Sequence, residues 1–229
     1  MKRTLQIILA LALVSMFLTS PVAAASAEGL DWGVAVDDEF TYRFAMDDPF
    51  ENITLDEGIN VTVEAVPTMP GAVGDWDDIP VVDVDIVYTN GTSPGFELFI
   101  IIGIIYAGGL FAVPIGNFSH LGILLNGSTY WSENSTLINT SSEWGSSYFD
   151  VDDEMRLDLR TTYLKSDGML ARYTYDVENT TSGETGSASL IRDGLGFDIM
   201  GWIQDNILIV GIGVGVIVLI AAVVCVKRR

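Results

Sequence analysis

Apolar and polar residues alternate with a period of two along six stretches of the chain. In the first stretch, Phe40, Tyr42 and Phe44 alternate with less apolar residues. Such alternation is typical of a β-strand that turns one face to a core and the other to water. The pattern therefore predicts strands at residues 40–46, 59–65, 82–88, 155–164, 169–177 and 187–192.

The last three predicted strands form a unit. Lys165-Ser166-Asp167-Gly168 joins the first of them to the second, and an Asp-Gly pair favours the positive φ angles of a tight hairpin. Polar residues 179–186 form the next turn. These connections predict a three-stranded antiparallel meander.

The remaining elements complete a mainly β fold. Residues 119–125 are predicted to form one short helix with Asn117 as its N-cap, whereas the pattern assigns no element to residues 128–144. Seven or eight strands in up-and-down order predict an antiparallel curled sheet with one short helix. The sheet could be a half-barrel of the lipocalin or lipoprotein-carrier type, or a sandwich.

The N-terminal end has the three parts of a secretory signal peptide. Lys2 and Arg3 precede a short apolar run, and Ala25-Ser26-Ala27 is a small-x-small cleavage site. Residues 1–27 are therefore predicted to be removed on export. Cleavage after Ala25 and an uncleaved N-terminal anchor are the alternatives.

The C-terminal end predicts a membrane anchor. Residues 207–226 carry no charge, and this length crosses about 30 Å of hydrocarbon as a helix. The basic residues 227–229 place the tail in the cytoplasm. We therefore expect a transmembrane helix at residues 206–226 and type I topology in the cell membrane, with residues 28–205 as an extracellular domain.

An uncharged middle segment, residues 98–118, is also long enough to span a membrane. A span here would move the basic tail outside, against the positive-inside rule. Gly108-Gly109 and Pro114 interrupt the segment. We therefore predict a buried strand at residues 99–106, a turn, and a second short strand up to Pro114. A membrane span and a segment that inserts into a target membrane remain as alternatives.

The net negative charge of the predicted extracellular domain disfavours nucleic acid as a partner. The extracellular domain contains all 31 acidic residues and six basic ones, which gives a formal charge of −25. Such a surface repels nucleic acid and suits high salt, where self-repulsion is screened. The only cysteine, Cys225, lies in the predicted anchor, so the domain has no disulfide. That is more typical of a microbial cell surface than of a small secreted animal domain.

Eight Asn-x-Ser/Thr sequons occur, all within the predicted extracellular domain. Asn117 is interpreted as a helix cap and not as a sugar acceptor. The seven predicted glycosylation sites are Asn52, Asn60, Asn90, Asn126, Asn134, Asn139 and Asn179.

Catalytic and metal-binding patterns are sparse. His120 is the only histidine and no G-x-S-x-G elbow is present, so His120 is predicted to be a packed helix residue and the protein is not expected to be an enzyme. No cofactor is predicted. One acidic cluster is interpreted as a solvated loop, and the alternative interpretation is a calcium site. The cluster consists of Asp150, Asp152, Asp153 and Glu154.

Gly211 and Gly215 have the small-xxx-small spacing that lets two membrane helices approach closely. They are predicted helix contacts in a possible homodimer.

Two short motifs resemble those of uncharacterised archaeal cell-surface proteins. Residues 32–42 resemble a W-G-V-x-V-G-D-x-F-x-Y opening, with Asp37 at the position of its second glycine, so the first turn is expected to differ. Residues 163–170 are similar to a Y-x-K-x-D-G-x-L hairpin. The plan of signal peptide, sequon-rich domain and C-terminal helix with a basic end is similar too. The resemblance implies a membrane-anchored surface location and a domain shape, and it implies no activity.

The sequence thus predicts a non-enzymatic cell-surface glycoprotein with a binding role or a cell-coat or adhesion role, and it does not name a protein or glycan partner. The alternative is a carrier or receptor for a lipid or another small apolar ligand. A carrier needs an apolar cavity inside the curled sheet, whereas a coat protein needs a filled core.

Overall fold

A computed structural model describes residues 28–48, 53–94, 110–152 and 154–195. These residues form one open, eight-stranded antiparallel sheet in the order β3-β2-β1-β8-β7-β6-β5-β4, with one α-helix, α1. The elements are β1 (Glu39–Asp48), β2 (Ile53–Ala65), β3 (Asp83–Tyr88), α1 (Phe118–Gly127), β4 (Ser135–Asn139), β5 (Glu143–Val151), β6 (Met155–Leu164), β7 (Leu170–Asn179) and β8 (Thr185–Arg192).

The first strand lies in the middle of the sheet, between β2 and β8. From β1 the chain moves outward to one edge at β3, and it returns from the other edge, β4, strand by strand to β8. The predicted mainly β class is confirmed: the sheet is antiparallel, it is not closed, and the described residues contain one α-helix. The predicted transmembrane helix lies outside the described residues.

All six predicted strands are present, and the C-terminal meander pairs as expected. β2 is longer than predicted because it begins at Ile53, where it pairs with Asp48. The sequence Asp56-Glu57-Gly58 hides this extension, since its two carboxylates break the apolar alternation.

Two strands, β4 and β5, were not predicted from the pattern. In β5 the side chains of Trp144, Ser146 and Tyr148 share one face, and Ser146 is buried there although it is polar. β4 has only five residues, with serine, threonine and asparagine among them. The period-two signal is therefore too weak to read in either strand.

One face of the sheet is covered by the rest of the chain, and the core lies between them. The cover consists of residues 28–34, residues 66–82 with a short 3-10 helix (Trp76–Asp78), residues 110–115 and α1. At its centre Trp144 is fully buried and stacks on Trp76 with ring centroids 6.1 Å apart. Phe118 and Tyr163 pack on the same indole at 6.2 and 6.3 Å. Large aromatic rings thus fill the covered part of this inner face.

The described part of the middle apolar segment belongs to this core. Phe111 and Val113 are buried, and their backbones join the β6–β7 hairpin through bonds from Leu170 N to Phe111 O at 2.8 Å and from Val113 N to Gly168 O at 2.9 Å. The prediction of a second short strand up to Pro114 is wrong, because the segment makes only isolated bridges. Proline has no N–H with which to continue a ladder. The predicted strand at residues 99–106 lies outside the described residues.

The two motifs that resemble archaeal surface proteins meet in space. A Cβ atom added at Gly33 would lie 2.7 Å from the Cα atom of Asp167, so only glycine lets these backbones approach. The carboxylate of Asp167 binds Arg192, with Oδ2 and Nη1 2.8 Å apart. Asp37, which replaces the glycine of the resembled motif, has a φ of +72° and keeps the left-handed conformation that glycine favours. Both motifs therefore hold the fold together.

Gly168→Ala is expected to destabilise the protein more than Gly183→Ala does. Both glycines have a positive φ, +76° and +75°, so either alanine costs about 1–2 kcal/mol of backbone strain. At Gly168 the added Cβ would also lie 2.1 Å from the oxygen of Val113, whereas nothing lies within 4 Å at Gly183. Overpacking adds about 1–3 kcal/mol. Chemical denaturation of the full chain in detergent measures the difference, and equal losses would contradict the close approach.

Residues 1–27 and 206–226, the predicted signal peptide and anchor, lie outside the described residues. Within the described ranges, no helix has both the length and the apolarity required to cross a membrane.

Candidate functional site

The predicted sugar acceptors lie at the periphery of the domain. Asn52 lies outside the described residues. The other six occupy strand ends, turns, a helix end and the outer face of β2, and their side chains are exposed or half-buried. They are Asn60 in β2, Asn90 after β3, Asn126 in the last turn of α1, Asn134 before β4, Asn139 at the end of β4, and Asn179 at the end of β7.

The carboxamide nitrogen is the atom that receives an N-linked sugar, so its contacts matter most. In Asn90 the oxygen is used instead: it accepts hydrogen bonds from the backbone N of Thr92 at 2.9 Å and from its Oγ1 at 2.6 Å. The oxygen of Asn179 likewise accepts from Thr181 N and Ser182 N, both at 2.9 Å. These turns fix the side chain through its oxygen and direct the nitrogen elsewhere.

Two further acceptors flank β4. The nitrogen of Asn134 donates to Asp150 Oδ1 at 3.0 Å, and an amide that carries a sugar retains one N–H for such a bond. The oxygen of Asn139 accepts from Lys165 Nζ. Both asparagines are exposed and compatible with a glycan.

Asn117 differs from these asparagines because both ends of its side chain are used. Its oxygen accepts from His120 N at 3.1 Å, which confirms the predicted N-cap of α1, and its nitrogen donates to Glu28 O at 2.8 Å. The half-buried amide ties α1 to the start of the domain. A sugar on this nitrogen would require the contact with Glu28 to open.

His120 also links α1 to the cover. Its side chain is half-buried, and Nε2 lies 3.0 Å from the oxygen of Val73, so this nitrogen carries the proton that is donated. The prediction of a packed helix residue is confirmed by this contact. The link from residue 120 to residue 73 has no signal in the sequence pattern.

The acidic clusters have structural partners. Asp78 Oδ2 accepts from Gly74 N at 3.1 Å and from Asp75 N at 3.0 Å, as part of a capping box on the 3-10 helix. Asp150 accepts from Asn134 and from the hydroxyl of Tyr148.

The other weak calcium candidates, Asp152 and Glu154, are exposed, while Asp153 lies outside the described residues. Among the residues that the structure describes, no three His, Cys, Asp or Glu side chains are placed to hold a metal ion together. The calcium alternative stays a prediction.

A groove opens on the inner face at the end of the strands that the cover does not reach. Its volume is about 180 Å³, and Met46, Met155, Tyr175, Val177 and Ala188 supply its apolar wall. This groove is the feature of the described residues that bears most directly on the carrier alternative.

The predicted helix contacts Gly211 and Gly215 lie outside the described residues, as does the rest of the anchor. Compared with protein-family models, curated proteins and solved structures, the chain matches none.

Proposed function

We propose that the chain is a non-enzymatic, single-pass cell-surface glycoprotein with a binding, coat or adhesion role. In this proposal residues 1–27 direct export, residues 28–205 lie outside the cell as a half-barrel sheet, and residues 206–226 anchor them. The observation that carries the proposal is the placement of the sequon asparagines. The six described sugar acceptors lie around the periphery of the domain, and the oxygens of Asn90, Asn139 and Asn179 hold the side chains while the nitrogens stay available for sugar.

The filled inner face favours a coat or adhesion role over a carrier. Trp144, Tyr163 and Tyr173 are fully buried where a ligand cavity would lie. The remaining groove, at about 180 Å³, is smaller than the roughly 300–1,000 Å³ of ordinary ligand sites. The carrier alternative draws its support from this groove.

The distribution of charge also supports a surface role. Among the described residues, four arginines pair with carboxylates, and the acidic residues of the domain far outnumber its basic ones. A strongly acidic surface stays soluble at high salt, where screening removes self-repulsion. The pairs are Arg43–Asp56, Arg156–Glu178, Arg172–Glu143 and Arg192–Asp167.

Site-resolved mass spectrometry of glycopeptides tests the proposal. The full chain is purified from the membranes of a host that glycosylates Asn-x-Ser/Thr sites. We expect sugar on the exposed Asn90, Asn126, Asn134 and Asn139, and none on Asn117, which serves as an internal control with an intact sequon. A chain without sugar at any site, or with sugar on Asn117 alone, would contradict the proposal.

A further inference from the structure

The open sheet has two edge strands, β3 and β4, and they are protected differently. An edge strand exposes unpaired backbone groups that can pair with another molecule, and charged side chains or local folding usually prevent this. β3 contains Asp83 and Asp85, and the backbone of Tyr88 is satisfied by the turn that follows, through Tyr88 N to Thr92 O at 2.9 Å.

The five residues of β4, Ser-Thr-Leu-Ile-Asn, include no charge, proline or glycine, and a local turn satisfies the amide of the first of them, through Ser135 N to Ser132 O at 3.1 Å. Bonds from Thr140 N to Glu143 O at 2.9 Å and from Phe149 N to Asn134 O at 3.3 Å fix its register on β5. In an antiparallel ladder alternate residues turn their backbone groups outward. In β4 these are Ser135, Leu137 and Asn139. The Ser135 N–H is used by the preceding turn, and the Leu137 side chain is 39% exposed.

A sequon asparagine lies at each end of the open backbone edge of β4. Asn134 directly precedes β4 and Asn139 ends it, about 17 Å apart at ~3.3 Å per residue. Asn134 lies in the turn before β4, where its side chain donates to Asp150 Oδ1 at 3.0 Å, and the Asn139 side chain contacts Lys165 Nζ. A sugar on each would flank the same edge at its two ends.

We propose that N-linked glycans on Asn134 and Asn139 shield the open backbone edge of β4 from pairing with a strand of a second copy of this chain. The inference rests on the proposed function, because it requires that the domain be glycosylated. The glycans supply here the protection that the carboxylates and the folded turn supply at β3. Lys165 reaches only the last part of the edge, where Nζ binds the oxygen of Thr140.

The test compares three double variants of the full chain, made in a glycosylating host and studied in detergent. N134Q/N139Q removes both edge glycans. N126Q/N179Q removes the same number of glycans away from β4. T136K/N139Q also removes both edge sequons, because Thr136 belongs to the sequon of Asn134, but it places a lysine on the edge.

Sedimentation equilibrium is expected to show that N134Q/N139Q self-associates at least about tenfold more tightly than the wild-type chain. The other two variants should associate like the wild type. Hydrogen exchange should show that the amides of Leu137 and Asn139 become protected only in the associated variant. If T136K/N139Q associates as strongly as N134Q/N139Q, or if protection appears elsewhere, the edge is not the contact and the inference is overturned.

The inference and the proposed function fail separately. If peptide mapping finds sugar on Asn134 and Asn139 in the wild type but N134Q/N139Q does not associate, the shielding role is wrong and the glycoprotein assignment stands. If the wild type carries no sugar at any asparagine, both are wrong.

Discussion

Trp144→Ala is expected to lower the free energy of unfolding by about 3–5 kcal/mol, the loss typical of a deleted core aromatic. The indole is fully buried on the inner face of β5, between the sheet and its cover. It contacts rings from three separate parts of the chain, in Trp76, Phe118 and Tyr163. Its removal leaves a cavity that these large rings cannot all close, so the cover should loosen together with the sheet.

Phe149→Ala is the matched control, because Phe149 lies on the same strand but faces outward and is 46% exposed. The variant loses mainly the contact of the Arg156 guanidinium over the ring, which is worth about 0.5–1 kcal/mol at an exposed site. Urea unfolding of the full chain in detergent, followed by far-ultraviolet circular dichroism, compares the two. Similar losses would mean that the inner face is not the core.

Raising the pH above about 10 is expected to destabilise the fold steeply. Burial raises the pKa of Tyr42, Tyr163 and Tyr173 well above the ordinary tyrosine value. Below that ordinary value both the folded and the unfolded chain keep the phenolic protons, so the stability is fully present. Above it the unfolded chain loses protons that the folded chain retains. Each tyrosine then costs about 1.4 kcal/mol per pH unit, and three together cost about 4 kcal/mol per pH unit.

The measurement is the free energy of unfolding between pH 9 and pH 11, with the slope as the readout. Tyr163→Phe should reduce the slope by about one third, although it also removes the bond from the Tyr163 hydroxyl to Leu110 O at 2.9 Å. Tyr130→Phe, at a residue that is 38% exposed, should leave the slope unchanged. A free energy that stays constant up to pH 11 would show that these hydroxyls are not buried in the folded protein.

The sequence predicts those parts of the fold in which one face of a strand is apolar throughout. β7 meets this condition, β6 departs from it at the buried Thr161, and the Asp-Gly pair before Met169 marks the turn between these two strands. β5 does not meet the condition, because buried Ser146 interrupts its inner face. The pairing of β1 with β8 joins residues 140 to 150 positions apart, from Asp47↔Ser187 to Tyr42↔Arg192, and no local pattern could indicate it.

The sequence also predicts the candidate site only in part. The sequons are visible as a pattern, and the context of Asn117 identifies it as a helix cap. The pattern does not show that Asn134 and Asn139 flank an edge strand, because β4 itself was not predicted. Nor does it show which amide nitrogens remain available, since Asn139 is held by Lys165 from a distant turn.

The two motifs that carry the resemblance to archaeal surface proteins lie together in the fold. They meet where Gly33 contacts Asp167, so they specify a packing arrangement of the domain. The surface location that the resemblance implies remains a proposal.

The accessibility of the domain from outside the cell tests its surface location most directly. Val81 is 58% exposed, and the single native cysteine, Cys225, lies in the predicted anchor, so Val81→Cys adds one surface thiol to the domain. Intact cells that express either chain are treated with a membrane-impermeant maleimide. We predict that V81C is labelled in intact cells whereas the wild-type chain is not. Labelling of V81C only after the cells are opened would place the domain inside and contradict the account.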